Sequence, residues 1–283
     1  MVAKFPLLKN KLDLQKMKYL SKIILFLAIS FYTKLAFCQD FEVSPVIVSF
    51  DANPGEIQEK YVHVKNYENK IQAFSANLYD FSVENGKKIK KKLGSTNRSL
   101  LEVLNITPTF FELNPNQSID IKLILTVPPK NFSTHWGYLD IGPAKEQKSY
   151  EVDKQRLTTG INILSKIEIL INQSPRANKN YKCEILKFVE ISSNNDKIRL
   201  FKVSIKNSGG MILKPHVHLE YGIYETAELV KFGSKEKTIY PDEIIEFELE
   251  ISKKNITSSG QLAVILDYGH DTQIEGAVLE ISP

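Results

Sequence analysis

Ser118-Ile119-Asp120-Ile121-Lys122-Leu123-Ile124-Leu125-Thr126-Val127 places Ile119, Ile121, Leu123, Leu125 and Val127 on one face, with Asp120, Lys122 and Thr126 opposite. A period of two means a strand with one face in a core and one in water, the habit of an antiparallel sandwich sheet. A second stretch, Glu243–Ile251, does the same: Ile245, Phe247, Leu249 and Ile251 alternate with Glu246, Glu248 and Glu250.

Around these two strands the chain repeats itself. Leu113-Asn-Pro-Asn-Gln-Ser-Ile-Asp-Ile-Lys-Leu leads on to Gly137-Tyr-Leu-Asp-Ile, and Ile239-Tyr-Pro-Asp-Glu-Ile-Ile-Glu-Phe-Glu-Leu leads on to Leu262-Ala-Val-Ile-Leu-Asp. Upstream of each lies a strand that ends in Asn, Tyr61-Val-His-Val-Lys-Asn66 and Phe201-Lys-Val-Ser-Ile-Lys-Asn207. Asn at a strand end enters a turn, because its side chain bonds nearby backbone and tolerates the left-handed conformation. The same units recur in the same order, so the sequence reads as one sandwich used twice. No amphipathic helix is read after residue 39. The fold class is all-β: two tandem immunoglobulin-like antiparallel sandwiches, of about seven strands each. The polar, Pro175-containing segment 174–180 is the linker, between a first domain at 39–173 and a second at 181–283.

The first 38 residues stand apart. Lys16, Lys18 and Lys22 precede an apolar run, Ile23–Tyr32, and Ala36 and Cys38 put small residues before Gln39. This is a secretory signal cut after Cys38, with Met17 a second candidate start. Lipidation of Cys38 is the alternative, but Phe37 stands where a small residue is wanted. The whole chain has 283 residues, 42% of them hydrophobic, and a net charge of +4. Residues 1–38 hold seven Lys and one Asp, so the remainder carries 30 basic and 32 acidic residues, net −2. A mature chain of that balance has no nucleic-acid footprint and no integral membrane segment. Only Cys183 is left, so no intramolecular disulfide forms.

The first domain resembles a known group in the order of its motifs. It opens Phe41-Glu-Val-Ser-Pro-Val-Ile-Val-Ser-Phe-Asp, passes through Asn53-Pro-Gly-Glu and Tyr61–Asn66, and continues with Ile106-Thr-Pro-Thr-Phe-Phe-Glu-Leu-Asn-Pro-Asn-Gln-Ser and Gly160-Ile-Asn-Ile-Leu-Ser-Lys-Ile-Glu-Ile-Leu-Ile171. This is similar to the PapD-like periplasmic chaperone superfamily, and also to the related N-terminal domain of WxL-type surface proteins. The resemblance implies an exported, non-enzymatic module that captures or assembles envelope or surface proteins through an edge strand, in the periplasm. The alternative it leaves open is a cell-surface or secreted protein that binds cell-wall glycan or mediates adhesion. Pilus chaperones carry a lysine on the last strand of domain one that anchors the client's terminal carboxylate. Glu168 stands at that place here, with Lys166 two residues before it.

The candidate partner-binding strand is Gly160–Ile171, with Ile161, Ile163, Leu164, Lys166, Ile167, Ile169 and Ile171 as its site residues. A strand of this kind packs its own core and presents an edge to which another chain can add. The expected partner is an exported or surface protein client.

Catalytic, cofactor and metal sites are not expected: the chain has no GxSxG, HExxH, GxxxxGK[ST] or CxxC. His216 and His218 leave one strand face and could supply two zinc ligands with His270 or Asp271, but read as a polar strand face. Lys87, Lys88, Lys90, Lys91 and Lys92 read as a solvated hairpin end, Trp136 as a core or sheet-end aromatic, and Cys183 as a buried hydrophobe.

Overall fold

Both alternating segments form strands whose apolar faces are buried: Ile121, Leu123 and Leu125 in the first, Ile245, Phe247, Leu249 and Ile251 in the second. A computed structural model describes residues 22, 40–84, 86–144, 165–269 and 274–283. Residues 1–38, read above as a secretory signal, lie outside these residues except for Lys22. The strands of the first half are β1 Phe41–Ser44, β2 Ile47–Phe50, β3 Ile57–Asn66, β4 Gln72–Glu84, β5 Lys87–Lys91, β6 Leu104–Thr107, β7 Phe110–Leu113, β8 Ser118–Thr126, β9 His135–Pro143 and β10 Ile167–Gln173. They make two facing sheets, β1-β3-β8-β6 and β2-β10-β9-β4-β5, with β7 beside β5 on the edge of β4. Ser44–Pro45 and Thr107–Pro108, both cis, lie where the chain leaves one sheet for the other. Proline suits such points because it has no N–H to give a ladder. Pairing is antiparallel throughout this sandwich except for β2, which runs parallel to β10.

The second half repeats the architecture with β11 Cys183–Ile191, β12 Ile198–Asn207, β13 His216–Ile223, β14 Leu229–Lys231, β15 Lys235–Glu236, β16 Ile244–Ser252, β17 Gly260–Asp267 and β18 Ile274–Ile281. One sheet is β11-β12-β16 and the other β14-β13-β17-β18, with β15 also on β13. Each half has its own core, Phe50, Phe74, Leu123 and Ile169 being central to the first and Phe201, Tyr221, Leu249 and Val264 to the second. The chain is therefore all-β, two tandem sandwiches, and among the described residues no helix is long and apolar enough to cross a membrane.

The sequence repeat has a physical basis. Asn66 and Asn207, both fully buried, end β3 and β12. The Asn66 Nδ2 donates to the carbonyls of Lys70, Leu113 and Asn114 at 2.9, 3.0 and 3.3 Å, and the Glu68 N–H donates to its Oδ1 at 2.9 Å. The Asn207 Nδ2 donates to the carbonyls of Met211 and Ile239 at 2.8 and 3.3 Å, and the Gly209 N–H donates to its Oδ1 at 3.0 Å. Each asparagine thus ties the strand it ends to a Pro-containing turn far along the chain. Those turns match. Gln117 N–H bonds Asn114 C=O across Pro115, and Glu243 N–H bonds Tyr240 C=O across Pro241. The third residue has positive φ in each, Asn116 at 61° and Asp242 at 67°. Proline then a left-handed residue is the type II pattern, and Asn and Asp tolerate that conformation.

The connection from β10 to β11 is also tied down. Arg176 reaches Asp51 at 3.0 Å and both oxygens of Glu56 at 2.9 and 2.7 Å, while Asn178 donates to the Phe132 carbonyl at 2.9 Å.

Cys183 is fully buried, and burial pushes its thiol up to about 12. Because the thiolate is the reactive species, the native thiol should resist alkylation at pH 8. Asn207→Ala strands two buried carbonyls and an N–H beside Cys183, its cross-strand neighbour, and should cost about 3 kcal/mol. Iodoacetamide labelling of Cys183, followed by mass spectrometry, should accelerate in Asn207→Ala; an unchanged rate would rule out the bracket as a stabilising element.

Candidate functional site

β10 carries the candidate binding strand, and its two ends differ. Leu170–Gln173 pair with Ile47–Phe50 of β2 on one side and with Tyr138–His135 of β9 on the other. Ile167, Glu168 and Ile169 pair only with Ile141, Asp140 and Leu139 of β9; among the described residues no strand lies on their other side. The Leu170 N–H donates to the Val46 carbonyl at 3.0 Å, away from β9. Backbone groups alternate sides along a strand, so the N–H and C=O of Glu168 face away from β9, as the Leu170 N–H does. Val46 and Ile47, 54% and 57% exposed, form an apolar lip where β2 begins.

The side chains of β10 alternate as well. Ile169 and Ile171 are fully buried in the first core and Ile167 packs against it. Glu168 and Leu170 point to the outer face of the sheet. That face is unusually furnished. Asp140 and Glu168 are directly opposite one another on β9 and β10. The Lys90 ammonium, on β5 beyond β4, reaches over the sheet to bind Asp140 at 2.7 Å and also pairs with Glu168. Its charge lies 4.9 Å and 5.6 Å from the ring centres of Tyr79 and Tyr138. Desolvation lowers its pKa, but the bonds to Asp140 and Glu168 outweigh this and hold it above the usual lysine value.

The second sandwich meets the same face. Tyr240, 1% exposed, sits edge-on to Phe81 and Trp136 at 5.3 and 5.1 Å, with Leu170 and Ile212 packed around them. The Trp136 indole N–H donates to the Phe81 carbonyl, and the Thr134 hydroxyl donates to the Gly210 carbonyl at 2.6 Å. Lys88 extends over the rings of Phe81 and Tyr240, where desolvation holds its pKa below the ordinary lysine value. Beside it a cavity of about 730 Å³ opens between Val83, Lys87 and the turn at Asp242–Glu246. Burial also pushes the Glu243 carboxyl upward.

Of the sequence-chosen residues, Lys166, Ile167, Ile169 and Ile171 lie here, while Ile161, Ile163 and Leu164 lie outside the described residues. Sequence reading missed Lys90, Asp140, Tyr138, Phe81 and Tyr240. The lysines do lie on an exposed β4–β5 pair, as read from sequence, and within it Lys88 and Lys90, alternate residues of β5, also extend over aromatic rings of the sheet face. That alternation was the available signal. The two histidines pair separately: His216 with Glu236 at 3.4 Å and His218 with Glu220 at 3.1 Å. Among the described residues no three metal-ligating side chains cluster; His270 and Asp271 lie outside them.

No family model matches the chain, and no curated protein does. Solved structures similar to it include a chaperone–tip adhesin complex described as vital for activation of CFA/I fimbriae biogenesis: 16% identity, TM-score 0.48, covering 87% of this chain and 100% of that one. Another is the class 5 fimbriae chaperone CfaA, at 17% identity and TM-score 0.45, covering 86% and 99%. A third is the CsuC–CsuE chaperone–tip adhesion subunit pre-assembly complex of Acinetobacter baumannii, at 11% and 0.41, covering 75% and 91%.

Tyr240 belongs to neither sandwich core, so Tyr240→Ala should leave each sandwich folded and loosen their joint orientation. Small-angle scattering should show a larger radius of gyration and a broader distance distribution, with circular dichroism unchanged. An unaltered scattering curve would mean that the linker contacts of Arg176 set the orientation by themselves.

Proposed function

We propose that this chain is an exported, non-enzymatic client-binding protein of the periplasm, which captures an extended segment of another exported or surface protein by strand addition to the open edge of β10. The observation that carries this reading is the mismatch in length between β2 and β10. Four residues of β2 cover Leu170–Gln173 and leave Ile167–Ile169 paired on one side. An unpaired edge offers backbone donors and acceptors to a second chain, which supplies affinity, while alternating side chains supply register. Ile169 and Ile171 seat the strand in the core, Glu168 presents its backbone, and Val46, Ile47 and Lys166 border the place of the incoming chain.

The direction of each N–H gives a selective test. Glu168→Pro removes an outward donor and no bond to β9, so the ladder survives. Ile169→Pro removes an N–H that points at β9 and should unfold the first sandwich. The probe is a set of fluorescein-labelled peptides of about ten residues, alternating Val or Ile with Thr or Ser. Anisotropy should show that Glu168→Pro weakens binding at least about tenfold while its melting temperature falls by only a few degrees. Binding equal to that of the unaltered protein would sink the edge reading.

A further inference from the structure

Glu168 is an awkward residue for an open edge. It stands directly opposite Asp140 on β9. Because the N–H of Glu168 points away from β9, the two form a non-hydrogen-bonded pair, the closer kind, with Cα atoms about 4.5 Å apart. Like charges so placed repel. Asp140 has little freedom, its side chain being 7% exposed, whereas that of Glu168 is 41% exposed. Relief of the repulsion therefore falls to Glu168. The space open to it is over the edge, where no strand lies among the described residues.

Lys90 prevents this. Its ammonium binds both carboxylates, and its position over the Tyr79 and Tyr138 rings directs it to them from β5. With Lys90 present the charge of Glu168 is drawn across the sheet, away from the path of an added strand. Without it a free carboxylate would stand beside the residue of the incoming chain that exchanges backbone bonds with Glu168. That carboxylate would have to be desolvated on binding or matched by an opposite charge.

We propose that Lys90 is a positioning residue for strand capture: it holds the Glu168 side chain against Asp140, keeping the edge of β10 clear and making capture indifferent to charge on the client residue opposite Glu168. This rests on the strand-addition reading given above. It assigns a role in that reading to a side chain of a different strand, separated from β10 by β9 and β4.

The test uses the same labelled peptides in three versions, with Thr, Lys or Glu at the central outward position. The unaltered protein should bind all three within about twofold of one another. Lys90→Met keeps the apolar stem over the two rings and removes the charge. It should bind the Thr peptide roughly tenfold more weakly, and should prefer the Lys peptide to the Glu peptide by about tenfold. Adding Glu168→Gln to Lys90→Met should restore both measurements to within about twofold of the starting values, an outcome that loss of folding would not give. Lys90→Arg, which can hold both carboxylates, should bind like the unaltered protein. Thermal melts establish that each variant is folded at the assay temperature. If Lys90→Met binds the Thr peptide normally and shows no charge preference, or if Lys90→Arg loses as much as Lys90→Met, the role of Lys90 is overturned and strand capture stands. If the unaltered protein binds none of the peptides, strand capture itself is overturned, and this role with it.

Discussion

A buried carboxamide that ends a strand and ties it to a distant turn organises each half of this molecule. Asn66 and Asn207 have no contact with solvent, so their donors and acceptors must find partners inside the protein. The partners are backbone groups of a Pro-containing turn about fifty residues away in one half and about thirty in the other. Once that bond set is made, much else follows. The turn aims the long alternating strand, β8 or β16, beside β3 or β12, and the period-two pattern of that strand then fixes which face meets the core. A one-residue slip would cost the carboxamide its bonds and turn every apolar side chain of the strand to water, so the two constraints reinforce each other.

The two halves use the shared plan differently. In the first, the opening strand divides at Pro45, and β2 crosses over to pair with β10; in the second, β11 stays in one sheet, and among the described residues β18 pairs only with β17. The division at Pro45 is what makes β2 short, and among the described residues its shortness leaves Ile167–Ile169 paired on one side only. The second sandwich then supplies a wall. The turn that holds Tyr240 is the turn bracketed by Asn207, so the stability of the second core and the placing of Tyr240 against Phe81 and Trp136 depend on the same hydrogen bonds. The second core and the aromatic contact between the two sandwiches are linked through residues 239–243.

Several features were legible because they repeat at short range. The strands from Ser118 and Glu243 announce themselves by alternation, and the Asn-ended strands and Pro turns by turn chemistry. The matched order of these units indicated a tandem pair of sandwiches, and Ile167, Ile169 and Ile171 could be assigned to one buried face of β10 from spacing. Lys90 was not legible in that way. It is separated from Asp140 by 50 residues and from Glu168 by 78, and a run of lysines after a Gly resembles any exposed hairpin. Only its place on β5, facing the aromatic side of the sheet, distinguishes it from Lys87 and Lys91.

By itself the sequence determined the long alternating strands, β8 and β16, and which of their faces is apolar, because side-chain alternation is a local property that a chain carries wherever it is placed; it did not determine the full set of ten and eight described strands, where about seven each were expected, nor that β10 starts at Ile167. It also determined the turns, since Pro, Asn and Asp restrict their own dihedral angles. Which backbone edge stays unpaired, and which charges meet across a sheet, were decided by tertiary structure alone. Whether β2 covers Glu168 depends on where β2 begins, and the bridge from Lys90 depends on the order of strands between them. Neither leaves a mark on the neighbouring residues, because hydrogen-bond partners across a sheet are chosen by the register of whole strands.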